Sequence, residues 1–380
     1  MTRPQLSINF NAFFYKNRIN IKNRRDKKMI VKAVKMKKIS IVLIVSVTLI
    51  VIIGSFFLVK SFAEEQKQEE KKYIKWIDYN VPLEVMEKTA KIDIDSHTKN
   101  EQVKLNWIEL ISYLATKYGG NFKKFKQKDL DDIVARLKNG ENMNEITKDI
   151  KLYSYYIEAY TAILDEFIGI YQIETLDENQ NKIYKEKYGI KAFLPIAKNY
   201  GFSHYDDFGN ARSYGYKRVH LGNDLMGSIG TPIIAVESGI VEACGWNQYG
   251  GWRVGIRSFD GKRYYYYAHL RKDHPYAKDM CEGKIVKAGD VIGYLGMTGY
   301  SAKENVNNIN VPHLHFGMQL IFDECQKEGV NQIWIDVYSI INFLKKNKSE
   351  VYKAYTDTKD YERKYNIIDP IVEQRENSQE

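Results

Sequence analysis

Four of the chain's seven histidines fall in three short stretches, with one aspartate among them. The stretches are His220-Leu221-Gly222-Asn223-Asp224, Tyr267-Ala268-His269-Leu270 and His313-Leu314-His315-Phe316-Gly317. Imidazole and carboxylate are the donors of a hydrolytic zinc centre, which takes three protein ligands and keeps a position for water. His220, Asp224 and His315 supply such a set, for one ion per chain. His269 and His313 then remain for the water and the substrate. A neutral imidazole can take a proton, and an imidazole N–H can stabilise an oxyanion. The metal would bring the pKa of water towards about 7 and polarise a scissile carbonyl. A single histidine is more often a core or surface residue than a ligand. Four in ordered stretches, one with an aspartate four residues on, are hard to explain that way. His204 and His274 match no motif and read as surface residues.

The elements that must hold these groups read as short strands. His313 and His315 are two apart, so on a strand they share a face. The residues from 311 to 320 are mostly apolar, as in a strand buried on at least one side. Further strands are expected at 231–236, 239–243, 252–257, 263–269 and 291–294, separated by Gly-containing turns such as Asp260-Gly261 and Gly289-Asp290. Such spacing means an all-β domain, a small antiparallel sandwich or barrel with a metal cleft. Residues 336–345 return to helix, closing a domain at 201–349, and 350–380 reads as a charged, frayed tail. Upstream, Val103, Trp107, Leu110, Ile111, Leu114 and Tyr118 recur at helical spacing, stopped by Gly119-Gly120. Leu130, Ile133, Val134 and Leu137 form a shorter stripe. A long third helix is expected from Ile146 to Ile168. The result is a small α-helical domain at 73–172, joined to the β domain by a polar linker at 173–200. Glu84, His97 and Glu109 lie there without the paired spacing that sugar cleavage needs. Its tyrosines, Tyr153, Tyr155, Tyr156 and Tyr160, could bind a wall polymer or simply pack one helix.

The net charge of +9 first suggests a nucleic-acid partner, but its distribution argues otherwise. Residues 1–38 carry +11, which leaves −2 for the remainder, so the folded part lacks the basic footprint of a nucleic-acid binder. Residues 39–59 carry no charge; as a helix they would span about 31 Å, close to a hydrocarbon core. Lysines before and glutamates after it place a basic tail (1–38) in the cytoplasm. A polar stalk (60–72) and the remainder then lie outside, as a single-pass membrane protein. Ser61-Phe62-Ala63 offers the alternative of secretion after cleavage near Ala63, and Met36 is an alternative start. Cys244, Cys281 and Cys325 form no Cys-x-x-Cys pair and read as small buried residues.

The three histidine stretches resemble the LytM/lysostaphin-type zinc endopeptidases of bacterial cell walls. Residues 230–239, 286–293 and 296–299 resemble them as well, so that the likeness runs over about 201–322. Carried over position by position, it implies zinc ligation by His220, Asp224 and His315. It makes His313 the general base and His269 its partner on the water or transition state. It makes Tyr214 a stabiliser of the oxyanion. It implies peptidoglycan peptides as substrate. The helical domain lies outside the likeness and could meet a partner protein. The chain departs from the family pattern at the Asn-rich segment 305–310 and at Gly317, where an acidic residue is common. Two other readings fit parts of the pattern. A catalytically silent wall-binding scaffold, or activator of other hydrolases, would be expected to have lost ligands that this chain keeps. A two-His-one-carboxylate iron oxygenase fits the donors, but an outward location suits Fe(II) poorly.

Overall fold

The apolar spacings upstream of the β region fold as helices: α1 (Leu83–Thr98), α2 (Trp107–Tyr118), α3 (Gln127–Lys138), α4 (Met143–Thr147) and α5 (Tyr153–Leu164). They belong to a computed structural model that describes residues 73–99, 101–213, 217–327, 329–354 and 359–377, with scattered positions between 29 and 55. The chain divides into two units, Met1–Lys72 and Tyr73–Glu380. The basic tail, the stalk and most of the expected span at 39–59 lie outside the described residues. Among the described residues no helix is long and apolar enough to cross a membrane.

Local chemistry sets the helix ends. The Asn106 side chain caps α2 by accepting from Ile108 and Glu109 N–H, and Gly119 ends it in the left-handed region at φ 62°. The single helix expected from 146 to 168 is instead two. The chain turns at residues 148–152, where Leu152 takes φ 71° and stays exposed, and α5 restarts at Tyr153. The charges of Lys148, Asp149 and Lys151 favour a solvated turn there over a continuous buried stripe.

The expected linker is a β-hairpin. Strands β1 (Ile168–Leu176) and β2 (Lys182–Ile190) pair along their whole length, from Ile168↔Ile190 to Leu176↔Lys182. The Asp177 carboxylate closes the turn by accepting from the Asn179 and Asn181 N–H groups. A ribbon whose outer face is solvated carries the same Lys and Glu content as a linker, so composition alone misreads it. The remaining strands are β3 (Phe202–His204), β4 (Ala211–Ser213), β5 (Lys217–Val219), β6 (Asn223–Gly227), β7 (Pro232–Ile234), β8 (Gly239–Asn247), β9 (Gly251–Ser258), β10 (Arg263–Ala268), β11 (Ile285–Val286), β12 (Val291–Tyr294), β13 (His313–Leu320), β14 (Ile333–Ile335), β15 (Val351–Lys353), β16 (Tyr361–Arg363) and β17 (Ile367–Ile368). Helices α6 (Tyr338–Leu344) and α7 (Pro370–Asn377) complete the described chain.

The main sheet is antiparallel in the order β11-β8-β9-β10-β13-β6-β3, with β14 also on β13. Strand β13 therefore runs between β10 and β6 near the centre, and its burial on both faces explains the apolar run around the two histidines. The expected frayed tail is corrected as well. Strand β17 pairs with β1, and Ile367 and Val372 are buried. Buried Asp369 joins Lys191 at 3.2 Å and accepts from Ser238 Oγ at 3.0 Å.

Helices and sheet share one apolar core. Trp107 of α2 stacks on Phe343 of α6, with ring centroids 5.5 Å apart. Tyr188 of β2 donates to Asp93 at 2.7 Å and stacks on His97. Arg263, fully buried at the start of β10, donates to both Glu237 carboxylate oxygens at 2.7 and 2.9 Å, and to the Ala162 carbonyl of α5 at 3.1 Å. His97 thus serves packing, and Glu84 pairs with Lys88 on the surface of α1. The three cysteines are free; Cys281 is exposed and the other two are half-buried, so none is a core residue.

Candidate metal centre

Register builds the site. In the antiparallel pair β6–β13, His315 lies opposite Asp224, and directly opposed residues project from the same face. His313, two residues earlier, shares that face. His220 reaches the same point from the turn that leads into β6. Gly222 makes this approach possible: a Cβ there would lie 2.6 Å from the Phe316 carbonyl and 2.8 Å from the His315 ring. His269 comes from the end of β10, where it takes φ 64°. That left-handed conformation is costly for a residue with a Cβ. It is held by the His269 N–H donating to the Gly250 carbonyl at 2.7 Å.

The donor atoms converge. His220 Nε2 is 3.0 Å from Asp224 Oδ1 and 2.9 Å from His315 Nδ1, and His315 Nδ1 is 3.2 Å from Asp224 Oδ1. Donors about 2.0–2.1 Å from a common tetrahedral centre would lie about 3.3–3.4 Å apart, so the triangle fits a zinc ion with a few tenths of an ångström of expansion. Among the described residues these three form a group able to hold a metal ion. The surroundings orient the donors. The Asp207 carbonyl can only accept, so at 3.0 Å it takes the proton of His220 Nδ1 and turns Nε2 to the centre. His313 Nδ1 donates to the Val311 carbonyl at 2.8 Å, and His269 Nδ1 to the Thr298 carbonyl at 2.9 Å. Both rings therefore carry the Nε2 lone pair when neutral. Their centroids lie 4.9 Å apart, and His313 Nε2 is 3.6 Å from Asp224 Oδ1.

Burial disfavours charge on His220, but Asp207 and Asp224 outweigh it and lift its pKa to about 9. Burial would raise Asp224, yet hydrogen bonds from His220 and His315 push it far below the carboxylate range. Burial lowers His315, and burial with His313 and His315 nearby keeps His269 neutral. A proton on His220 Nε2 and a metal ion compete for one lone pair, as expected of a ligand.

The structure brings His220, Asp224, His269, His313 and His315 to one cleft of about 190 Å³. Tyr214 lies outside the described residues. Sequence reading missed Asp207, Arg212, Arg218 and Tyr300. Asp207 holds Arg212 Nη2 at 2.6 Å, and the same Nη2 is 3.3 Å from Asp224 Oδ2. The Arg218 guanidinium lies 4.6 Å above the Tyr300 ring at the rim. None of the four falls at a motif spacing that could have marked it. His204 and His274 are corrected from surface residues. The first packs on Tyr338 at 4.5 Å, and the second pairs with Asp360 at 2.8 Å and stacks on Tyr294. The two departures have structural roles. Asn305 accepts from Trp252 Nε1 and from the Asp273 N–H, both at 2.9 Å, which ties the Asn-rich segment to β9 and to the loop after β10. Gly317 lies under Trp334, whose ring would be 2.9 Å from a Cβ, so an acidic side chain has no room.

Fold and donor set together define a class: an antiparallel β domain with a candidate metal-binding face on its central strands. Residues 218–331 match the family model described as Peptidase family M23. Residues 218–331 are thus a Peptidase M23 domain of the LytM/lysostaphin type. The chain is 34% identical over 195 residues to the L-Ala–D-Glu endopeptidase of Bacillus subtilis (strain 168), covering 47% of this chain and 58% of that protein. It is 39% identical over 99 residues to lysostaphin of Staphylococcus staphylolyticus, covering 26% of this chain and 18% of that one. A solved catalytic domain of lysostaphin from Staphylococcus simulans is 34% identical, with a TM-score of 0.26, over 31% of this chain and 80% of that chain. The chain thus spans less than two thirds of the length of the first two proteins.

Proposed function

We propose that this protein is a zinc-dependent endopeptidase that hydrolyses peptide bonds in the stem or cross-link peptides of peptidoglycan. The observation that carries the reading is the triangle of His220, Asp224 and His315, with two further imidazoles presenting lone pairs beside it. The peptidoglycan substrate rests on the relatives' names, among them the Peptidoglycan DD-endopeptidase ShyC of Vibrio cholerae. We also place the protein in the cell membrane through residues 39–59, with the M23 domain outside, on the strength of the uncharged run and its flanking charges.

His220, Asp224 and His315 would hold the ion, which when bound makes water a nucleophile near neutral pH and polarises the carbonyl. His313 acts as general base. Its Nδ1 proton is committed to the Val311 carbonyl, so Nε2 is free to accept a proton from the attacking water and pass it to the leaving amine. His269, fixed on Thr298, accepts the water's other hydrogen and orients it. Once protonated, either imidazole can donate to the developing oxyanion. Arg212 adds positive charge beside the cleft, held by Asp207 at 2.6 Å and reaching Asp224 Oδ2 at 3.3 Å. The test is a His313→Ala variant beside the wild type on purified peptidoglycan. The variant should keep its zinc and lose release of free amino groups by at least about 100-fold, the usual worth of a general base. Unchanged release would refute the role, and new reducing ends without amino groups would refute peptide cleavage.

A further inference from the structure

We propose that a second groove, beside the metal cleft, binds a β-linked chain of acetylated amino sugars. The groove has a volume of about 690 Å³ and lies between the helices and the β domain, within the range of small-ligand sites. Trp76, Tyr155 and Tyr338 line it together with Asp206, Asp336 and Lys123. Trp76 is 68% exposed, an unusual state for so large an apolar ring. The Tyr155 hydroxyl donates to the Trp76 carbonyl at 2.9 Å, which pins the Trp76 segment to α5.

Each feature points to sugar. A pyranose has an apolar C–H face and a rim of hydroxyls. Tryptophan and tyrosine rings offer amphipathic surface to the first. Carboxylate oxygens are acceptors only and suit the second. Asp336 spends one oxygen on the Tyr338 N–H at 2.9 Å, and a carboxylate has further acceptor capacity for hydroxyls. Three carboxylates, Asp78, Asp206 and Asp336, against the one ammonium of Lys123 disfavour a polyanion and favour a neutral, hydroxyl-rich chain. The position is also apt. Asp206 lines the groove, and the next residue supplies the carbonyl that fixes His220. A polymer held in the groove would present its side branches near the metal cleft. Naming the sugars as β-linked and N-acetylated, the glycan of peptidoglycan, rests on the peptidase reading; the fit to a sugar chain does not.

The test is calorimetric titration of the full chain with a peptide-free N-acetylglucosamine tetramer, beside Trp76→Ala and Asp336→Asn. Saturable binding is expected, weakened roughly tenfold or more in Trp76→Ala, the cost of removing an aromatic anchor. Asp336→Asn should weaken it less. Zinc content should not change in either variant, and a sugar-free stem peptide should not compete. The proposal is overturned by no saturable binding at millimolar tetramer, or by equal binding in Trp76→Ala. Displacement by the sugar-free peptide also overturns it and makes the groove a peptide subsite. Failure of the peptidase reading appears separately, as intact peptides in a peptidoglycan digest, and leaves the sugar isotherm standing.

Discussion

Replacing Asp207 with alanine should weaken zinc binding without unfolding the domain. The residue is 8% exposed, and its carboxylate meets Arg212, His220, the Asp224 N–H and the Asn223 side-chain amide. Oδ2 takes Arg212 Nη2 at 2.6 Å and lies 3.2 Å from His220 Nδ1, while Oδ1 lies 3.3 Å from the Asp224 N–H. The backbone carbonyl still fixes the His220 tautomer in the variant, so the ligand is not lost. What is lost is negative charge behind the imidazole and a restraint on Arg212. Loss of such an orienting partner typically costs 10–100-fold in metal affinity, or about 1.4–2.7 kcal/mol. The upper end is expected here, because Arg212 already pairs with Asp224 Oδ2 at 3.3 Å and, without Asp207 to share it, would bind that ligand more closely. Competition against a chromophoric zinc chelator measures the affinity, and circular dichroism checks the fold. A double variant with Arg212→Ala should recover part of the loss. Unchanged affinity in Asp207→Ala would refute the reasoning, and no recovery in the double variant would refute the part assigned to Arg212.

Gly222→Ala should abolish stoichiometric zinc binding, since its Cβ would sit 2.8 Å from the His315 ring; a normal zinc content would show that the turn can yield. Arg263→Met leaves Glu237 buried and unpaired, and should cost about 3–5 kcal/mol in denaturant unfolding; a loss under 1 kcal/mol on that scale would mean the carboxyl simply takes a proton. Burial and Lys345 lower the His204 pKa from 6.5 to about 4, so the folded state keeps this ring neutral while the unfolded chain protonates it. Its contribution is whole above pH 6.5 and is lost as pH falls towards 4, by up to about 3 kcal/mol. His204→Phe should flatten that part of the stability curve, and an unchanged slope would assign it elsewhere.

The candidate ligands were legible as a cluster because each lies in a short stretch whose meaning is local. Period 2 alone puts His313 and His315 on one face. The partner groups were not legible. Asp207, in the loop after β3, and Arg212, on β4, come behind His220 only through the backbone pairing of residues 209 and 210 with His220. The hairpin of β1 and β2 hid behind a solvated face rich in Lys and Glu. The tail hid because Ile367-Ile368 needs the β1 edge to become a strand. The break at Leu152 was invisible to a periodicity count that Ile150 and Tyr153 both satisfied. Gly317, odd as sequence, is explained once Trp334 is seen above it.

The central claim is best tested by mass spectrometry of purified peptidoglycan digested by the full chain, after chelation and after stepwise return of zinc. The account expects fragments opened by water at a peptide bond, absent after chelation and restored in full at about one zinc per chain. Peptide cleavage that persists in the chelated protein would contradict it, as would fragments opened only at sugar linkages.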